Sequence, residues 1–284
     1  MATFYNQASL SYNGFVTNSN VTSGEILDSA GLEKSAISQF YRRGSTVSFV
    51  ASISNSGVSA LTDITFTDNL GAFTVGTETV YPLTYVDGSV RYYVNGEEEP
   101  APTVNPGPPL TISPITVQPG ANILIIYEAV ANEFAPLEEG STITNTASIT
   151  GSCITESTTS SATVPVKEEI ILTIAKALCP ETVVGCDELT YTFIIQNGGN
   201  IAAGEDANIV IRDVFNPILT DIVVKLNSAE VPATFYTYDT ATGVFETVAG
   251  EITVPAANFT QDPATGVVTL TPGVTVLTVN GRTK

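Results

Sequence analysis

Histidine and tryptophan are absent from the 284 residues, and positive charge is scarce: ten Lys and Arg stand against 29 Asp and Glu, a formal net charge of −19. Without imidazole there is no Ser-His or Cys-His relay and no His metal ligand, and without indole the usual sugar platform is gone. The acidic balance repels nucleic acid and anionic lipid, so neither is an expected partner. No apolar run approaches the roughly 18 residues of a membrane span. The opening MATFYNQASL lacks the charged start and hydrophobic block of a secretory signal. Met1 reads as a natural start, so a chain working outside its cell is expected to leave without a cleaved signal.

Charged residues make up only 14% of the chain, well under the usual quarter or so. Thr, Ser, Val, Ile, Asn and Gly take their place, a composition that favours pleated sheet over helix. Cysteine is also sparse. Cys179 and Cys186 flank PETVVG in what reads as a turn between strands, so they could pair, leaving Cys153 over. An odd thiol outside the cell suggests pairing between molecules, whereas in a reducing cytosol all three would be inert.

What the chain does contain is a repeat. GSTVSFVASISNSG (Gly44 to Gly57) matches CDELTYTFIIQNGG (Cys186 to Gly199) at an offset of 142, which also places Lys34 of LEKSA on Lys176 of IAKAL. Downstream, TFTDNL aligns with VIRDVF, setting Asp68 against Asp213, and QPGANILIIYEA answers TPGVTVLTVNGR. Short β-branched segments alternate with turn signals such as Asp87-Gly88, Asn95-Gly96 and Pro119-Gly120. The expected fold is all-β: two tandem antiparallel Ig-like sandwiches over residues 29–166 and 167–284, preceded by an N-terminal extension, 1–28.

The two copies end differently. The first runs on through NEFAPLEEGSTITNTASITG and a further strand, SSATVPV, whereas the given sequence stops after TPGVTVLTVNGRTK. The second sandwich is therefore expected to have an open edge. The N-terminal segment could fill it. In NQASLSYNG, Asn6, Ala8, Ser9 and Leu10 stand where Asn145, Ala147, Ser148 and Ile149 stand in NTASITG, and NVTSGEIL leads onward as SSATVPV does. A strand bearing Phe4, Asn6, Ala8, Leu10 and Tyr12, inserted into a neighbour's second sandwich, would build a head-to-tail homopolymer. The alternative is that residues 4–14 are an ordinary edge strand of their own chain.

LEKSA, NSG, TFTDNL, PG and ITNTASITG, echoed by IAKAL, QNGG, VIRDVF and PG, resemble the DUF11 conserved-repeat sandwiches of bacterial surface proteins, relatives of the isopeptide-forming domains of Gram-positive pili and adhesins. The resemblance implies an extracellular structural role with no substrate and no cofactor, on a bacterial cell or spore surface with an unidentified anchor. It also implies a bond between a first-strand Lys and a last-strand Asn, assisted by an acid between them. The candidates are Lys34, Asp68 and Asn145 in the first copy, and Lys176 and Asp213 with a neighbour's Asn6 in the second. Burial must lower the amine pKa and keep the acid protonated for this chemistry. The competing reading makes both lysines partly exposed strand residues, both aspartates turn formers, and Asn145 a partner of backbone only.

Other groupings are weaker. Glu97, Glu98 and Glu99, and Glu138 with Glu139, read as solvated loops, lacking the spaced ligands of a calcium site. No metal site is expected. Arg42 and Arg43 precede a turn. Tyr81, Tyr85, Tyr92 and Tyr93 form either a recognition face or cross-strand packing. A monomeric adhesin or ligand-binding module using those tyrosines is the alternative to the fibre subunit. A hydrolase would need an acid pair that the sequence does not offer.

Overall fold

The computed structural model describes residues 2–26, 29–152, 154, 157–182, 184–185 and 187–283. The framing strands, in chain order, are β1 (Ala2–Asn6), β2 (Ser9–Tyr12), β3 (Phe15–Asn18), β4 (Thr22–Ile26), β5 (Ala30–Ala36), β6 (Thr46–Asn55), β7 (Leu61–Asp68), β8 (Leu110–Val117) and β9 (Asn122–Ala131). They continue with β10 (Thr142–Thr150), β11 (Thr158–Pro165), β12 (Leu172–Cys179), β13 (Glu188–Asn197), β14 (Arg212–Val214), β15 (Leu219–Leu226), β16 (Val244–Thr247) and β17 (Gly273–Thr283). Among the described residues there is no α-helix, only two short 3-10 turns, so the all-β fold is observed directly.

The chain divides into two compact units: residues 1–135 with 142–165, and residues 136–141 with 166–284. In the first unit one sheet runs through β9, β6 and β5, and the other through β8, β7, β10 and β11. Strict alternation builds its core, because successive side chains on a strand face opposite ways. On β6, Val47, Phe49, Ala51 and Ile53 are buried while the residues between them are not. Ile64 and Phe66 of β7, Ile123, Ile125 and Tyr127 of β9, and Ile143, Ala147 and Ile149 of β10 complete the interior.

In the second unit β12, β13, β17 and β15 form the matching first sheet. The facing sheet is reduced to β14, β16 and the strand Tyr236–Tyr238. Leu189, Tyr191, Phe193 and Ile195 face Ile211, Phe215, Phe235 and Phe245 across its core. Comparing ladders corrects one alignment. Asn122 pairs with Ser54 and Val274 pairs with Gln196, so β9 and β17 correspond at an offset of 152 (274 − 122), one less than the QPGANILIIYEA match gives. A one-residue slip reverses every side chain. Tyr127 therefore corresponds to Val279, not Asn280.

The NSG and NGG motifs have a shared structural purpose. Asn55 Oδ1 accepts from Gly57 N at 2.9 Å while its amide donates to the Ser59 and Val117 carbonyls. Asn197 repeats this with Gly199 N and the Ile201 carbonyl. The incoming chain lies directly against both turns: Ser56 N donates to Ser29 O, and Gly198 N to Ile171 O, each at 2.8 Å. A Cβ on Gly199 would sit 2.1 Å from Glu169 O, so only glycine lets the linker pass.

The N-terminal residues do not form one strand, as the sequence suggests. They fold into two short ladders, β1 with β4 and β2 with β3, that among the described residues pair with no strand of either sandwich. Asn13 and Gly14, both at positive φ, turn the chain between β2 and β3 as a two-residue hairpin requires. The result is an arm with no interior. Phe4, Tyr5, Leu10, Tyr12, Phe15 and Val16 are all more than half exposed, and an isolated two-stranded ribbon is marginally stable in water.

Candidate assembly site: a closed and an open copy of one sandwich

In the first unit β10 and β11 close the gap between the two sheets. β10 pairs with β7, setting Ala147 opposite Asp68, and β11 reaches the edge of β5, where Lys34 N donates to Ser160 Oγ at 2.9 Å. Beneath this closure lies a polar cluster. Lys34 Nζ and the Tyr127 hydroxyl both donate to Asp68 Oδ2, and Leu70 N donates to Oδ1 at 2.9 Å. Asn145 Nδ2 donates to the Tyr127 oxygen at 3.3 Å, while its Oδ1 accepts from Gly71 N at 3.1 Å.

The side chains of Lys34 and Asp68 are fully buried. Burial lowers the Lys34 amine to about 8, outweighing the attraction of Asp68. Tyr127 is pushed well above its ordinary value, first by burial and then by Asp68. The structure thus brings together all three first-copy candidates, Lys34, Asp68 and Asn145, and buries Lys34, which the competing reading leaves partly exposed. Tyr127 is the member that sequence reasoning missed. Its position in a run of inward apolar residues, ILIIY, disguised it as packing.

Among the described residues of the second unit the same first-sheet elements stand without a cover. β12, the counterpart of β5, is exposed along its whole length. The edge of β14 that corresponds to the β10 side of β7 has no strand partner among the described residues. Between them runs an open groove lined by Ile174, Lys176, Phe193, Val210, Ile211 and Asp213. Lys176 Nζ still meets Asp213 Oδ2, but the two side chains are 40% and 19% exposed. The aromatic roles have moved: Tyr191, where the first unit has Phe49, lies under the amine at 4.4 Å, and its hydroxyl donates to Asn216 O at 3.3 Å. Val279 replaces Tyr127.

The β1/β4 ladder of the arm matches the register of the β10/β11 closure. Thr142, Ile143, Thr144 and Asn145 of β10 pair with Pro165, Val164, Thr163 and Ala162 of β11. Thr3, Phe4, Tyr5 and Asn6 of β1 pair with Glu25, Gly24, Ser23 and Thr22 of β4. One strand is displaced by 139 (142 − 3) and the other by 140 (165 − 25), so the two ladders superimpose pair for pair. The buried residues of β10 are Ile143, Asn145, Ala147 and Ile149, and their counterparts are Phe4, Asn6, Ala8 and Leu10. Volume is exchanged within the first apolar pair. Ile143 opposite Val164 becomes Phe4 opposite Gly24, and the Phe4 ring lies over the glycine where a Cβ would be only 2.5 Å away. Tyr12, also on the expected donor face, packs against Phe15 in the arm with the two rings tilted and their centres 5.9 Å apart.

The remaining candidates are placed differently. Cys179 is a free, exposed thiol at the end of β12, while Cys153 and Cys186 lie outside the described residues. Tyr85 and Tyr92 are buried, so the proposed tyrosine face is largely packing. Glu97, Glu98 and Glu99 form an exposed edge strand. Among the described residues no group of His, Cys, Asp or Glu could hold a metal, and no helix is long and apolar enough to cross a membrane.

No family model and no curated protein matches the chain. Solved structures do. The major pilin subunit BcpA of Bacillus cereus aligns over 96% of this chain and 73% of its own, with 14% identity and a TM-score of 0.38. The pilus backbone protein RrgB of Streptococcus pneumoniae aligns over 86% and 55%, at 10% identity and 0.31. The collagen-binding subdomain of the Enterococcus faecalis surface protein ACE aligns over 49% and 99%, at 10% identity and 0.30. At such scores the likeness carries nothing about assembly, partners or activity.

Proposed function

We propose that this chain is a structural subunit of a filament on a bacterial cell or spore surface, polymerised by lodging its N-terminal arm in the open second sandwich of a neighbour. The observation that carries the reading is the pairwise match between the β1/β4 ladder and the β10/β11 ladder. One is an arm without a core, and the other is the closure of the first unit, which has no counterpart beside β12 and β14 among the described residues. Edge strands recruit extended segments through main-chain hydrogen bonds, with alternate side chains entering pockets. Seating Phe4 and Leu10 contributes about 1.5–3 kcal/mol each. Donor and acceptor surfaces differ and lie at different places on the chain, so the contact is heterologous and propagates into a filament instead of closing as a dimer. The surface setting and the absence of a substrate rest on the sequence motifs.

The polar cluster supports a covalent extension of this reading. With Lys34 neutral, Nζ attacks Asn145 Cγ, the Nζ–Cγ bond forms, the Cγ–Nδ2 bond breaks, and the amide nitrogen leaves as ammonia with a proton from the amine. Gly71 N, which donates to Asn145 Oδ1, polarises the carbonyl, and exclusion of water protects the step. Lys176, Asp213 and a neighbour's Asn6 would repeat the reaction at each junction. Mass spectrometry of the denatured protein tests it, since each bond removes the mass of one ammonia.

Assembly itself is tested by deleting residues 2–26. The full chain is expected to form filaments by negative-stain microscopy and sedimentation, and the deletion variant to remain monomeric with both units folded. A full chain that stays monomeric at high concentration, or a deletion variant that still polymerises, would refute the proposal.

A further inference from the structure

We infer that Asn6 sets the register of the inserted arm, and that the Lys176–Asp213–Tyr191 cluster in the groove is a recognition site for the side-chain carboxamide of a second copy of this chain. The inference rests on the strand-donation reading and makes it more specific. A β-strand repeats every two residues, so a slip of two leaves the same face inward and the ladder intact. Phe4, Ala8 and Leu10 are all apolar and tolerate such a slip in kind. Asn6 is the one inward residue of that set that does not. In the first unit its counterpart Asn145 is fully buried and hydrogen-bonded through both amide atoms, to Tyr127 and to Gly71 N.

The acceptor shows the complementary feature. Among the apolar lining residues Ile174, Phe193 and Ile211 sit Lys176 and Asp213, paired over the Tyr191 ring and partly open to the groove, while Arg212, the other charged residue of the lining, is drawn to Glu246 at 3.2 Å. In register, Ala8 falls opposite Asp213, as Ala147 falls opposite Asp68, and Asn6 lies above the Lys176–Asp213 pair and the Tyr191 ring beneath it. A two-residue slip instead lays Phe4 or Ala8 over the ion pair. It strips water from the pair without offering a hydrogen bond, and it carries Asn6 to a place that Ala147 or Ile143 fills in the first unit. Leaving buried polar groups unpaired is penalised more heavily than an average hydrogen bond rewards. The same logic lets a single buried Asn fix the register of a coiled coil.

Four full-length chains test this: the native sequence, Asn6→Leu, the double variant Lys176→Met/Asp213→Leu, and the triple variant carrying all three changes. Assembly is followed by light scattering and microscopy, with circular dichroism confirming folding. Asn6→Leu and the double variant, each with a polar group facing an apolar one, are expected to assemble at least about tenfold more slowly than the native chain. The triple variant, apolar on both sides and unable to form any amide cross-link, is expected to recover most of that loss. Native-like assembly by Asn6→Leu overturns the inference, and because that change lies in the exposed arm, folding cannot mask it. A triple variant no faster than the double variant also overturns it. Either result leaves strand donation standing so long as deletion of the arm still abolishes assembly.

Discussion

Replacing Asp68 by alanine should unfold the first unit far more readily than replacing Asp213 by alanine unfolds the second. Asp68 is fully buried and neutralises Lys34, which is also fully buried. Removing one partner of a buried pair leaves an uncompensated charge and costs about 3–5 kcal/mol. Tyr127 and Leu70 N lose their acceptor at the same time. The Lys176–Asp213 pair is 40% and 19% exposed, so water takes over once it is broken, and the cost should stay below about 1 kcal/mol. At about 2–4 °C per kcal/mol for domains of this size, Asp68→Ala lowers the first unit's Tm by roughly 6–20 °C. Scanning calorimetry on monomeric protein reads both transitions, and intact mass recorded in parallel separates a lost cross-link from a lost ion pair. The Lys34→Met/Asp68→Leu double variant should return close to native stability, because both charges leave together. Equal shifts from Asp68→Ala and Asp213→Ala would refute the reasoning.

Stability of the first unit should rise as pH increases from about 8 to 10. The folded chain releases the Lys34 proton near 8, while the unfolded chain holds it to 10.5, so the unfolded state binds more protons across that window. Urea midpoints should show the rise in the native chain and not in Lys34→Met. Assembly should accelerate with salt, because each subunit carries a formal −19 while the sequences of β1 to β4 contain a single charged residue, Glu25. Raising ionic strength from 0.01 to 0.15 M shortens the screening length from about 30 to 8 Å, and slower light-scattering growth at the higher salt would contradict this. Gly199→Ala, whose Cβ would meet Glu169 O at 2.1 Å and Ile171 N at 2.8 Å, should cost the second unit about 1–3 kcal/mol. Gly185→Ala, with nothing within 4 Å, is its calorimetric control.

Much of this architecture was legible because β-structure writes itself in a period of two. The alternation in TVSFVASISN and ELTYTFIIQN marked the inner faces of β6 and β13, and the recurrence of Asn and Gly after each marked the turns. The likeness of NQASL to NTASI pointed to the arm. The limits of that reading are equally local. PG signals on the two copies suggested an alignment that the ladder shifts by one residue, since composition does not record how a turn feeds its strand. The arm's fold at Asn13-Gly14 was hidden because its residues match one strand of the closure as well as they match a hairpin.

By itself the sequence determined the fold class, the repeat, and the recurrence of a lysine and an aspartate at matching places in both copies, because each is a pattern carried along a single strand. Only the tertiary structure decided what those residues meet. Burial made Lys34 and Asp68 an ion pair shut away from water and left Lys176 and Asp213 half open. The packing of β9 brought Tyr127 between Asp68 and Asn145, residues 77 apart in the chain (145 − 68). Such meetings depend on strands distant in sequence and on which face each one turns inward, and no local pattern encodes that.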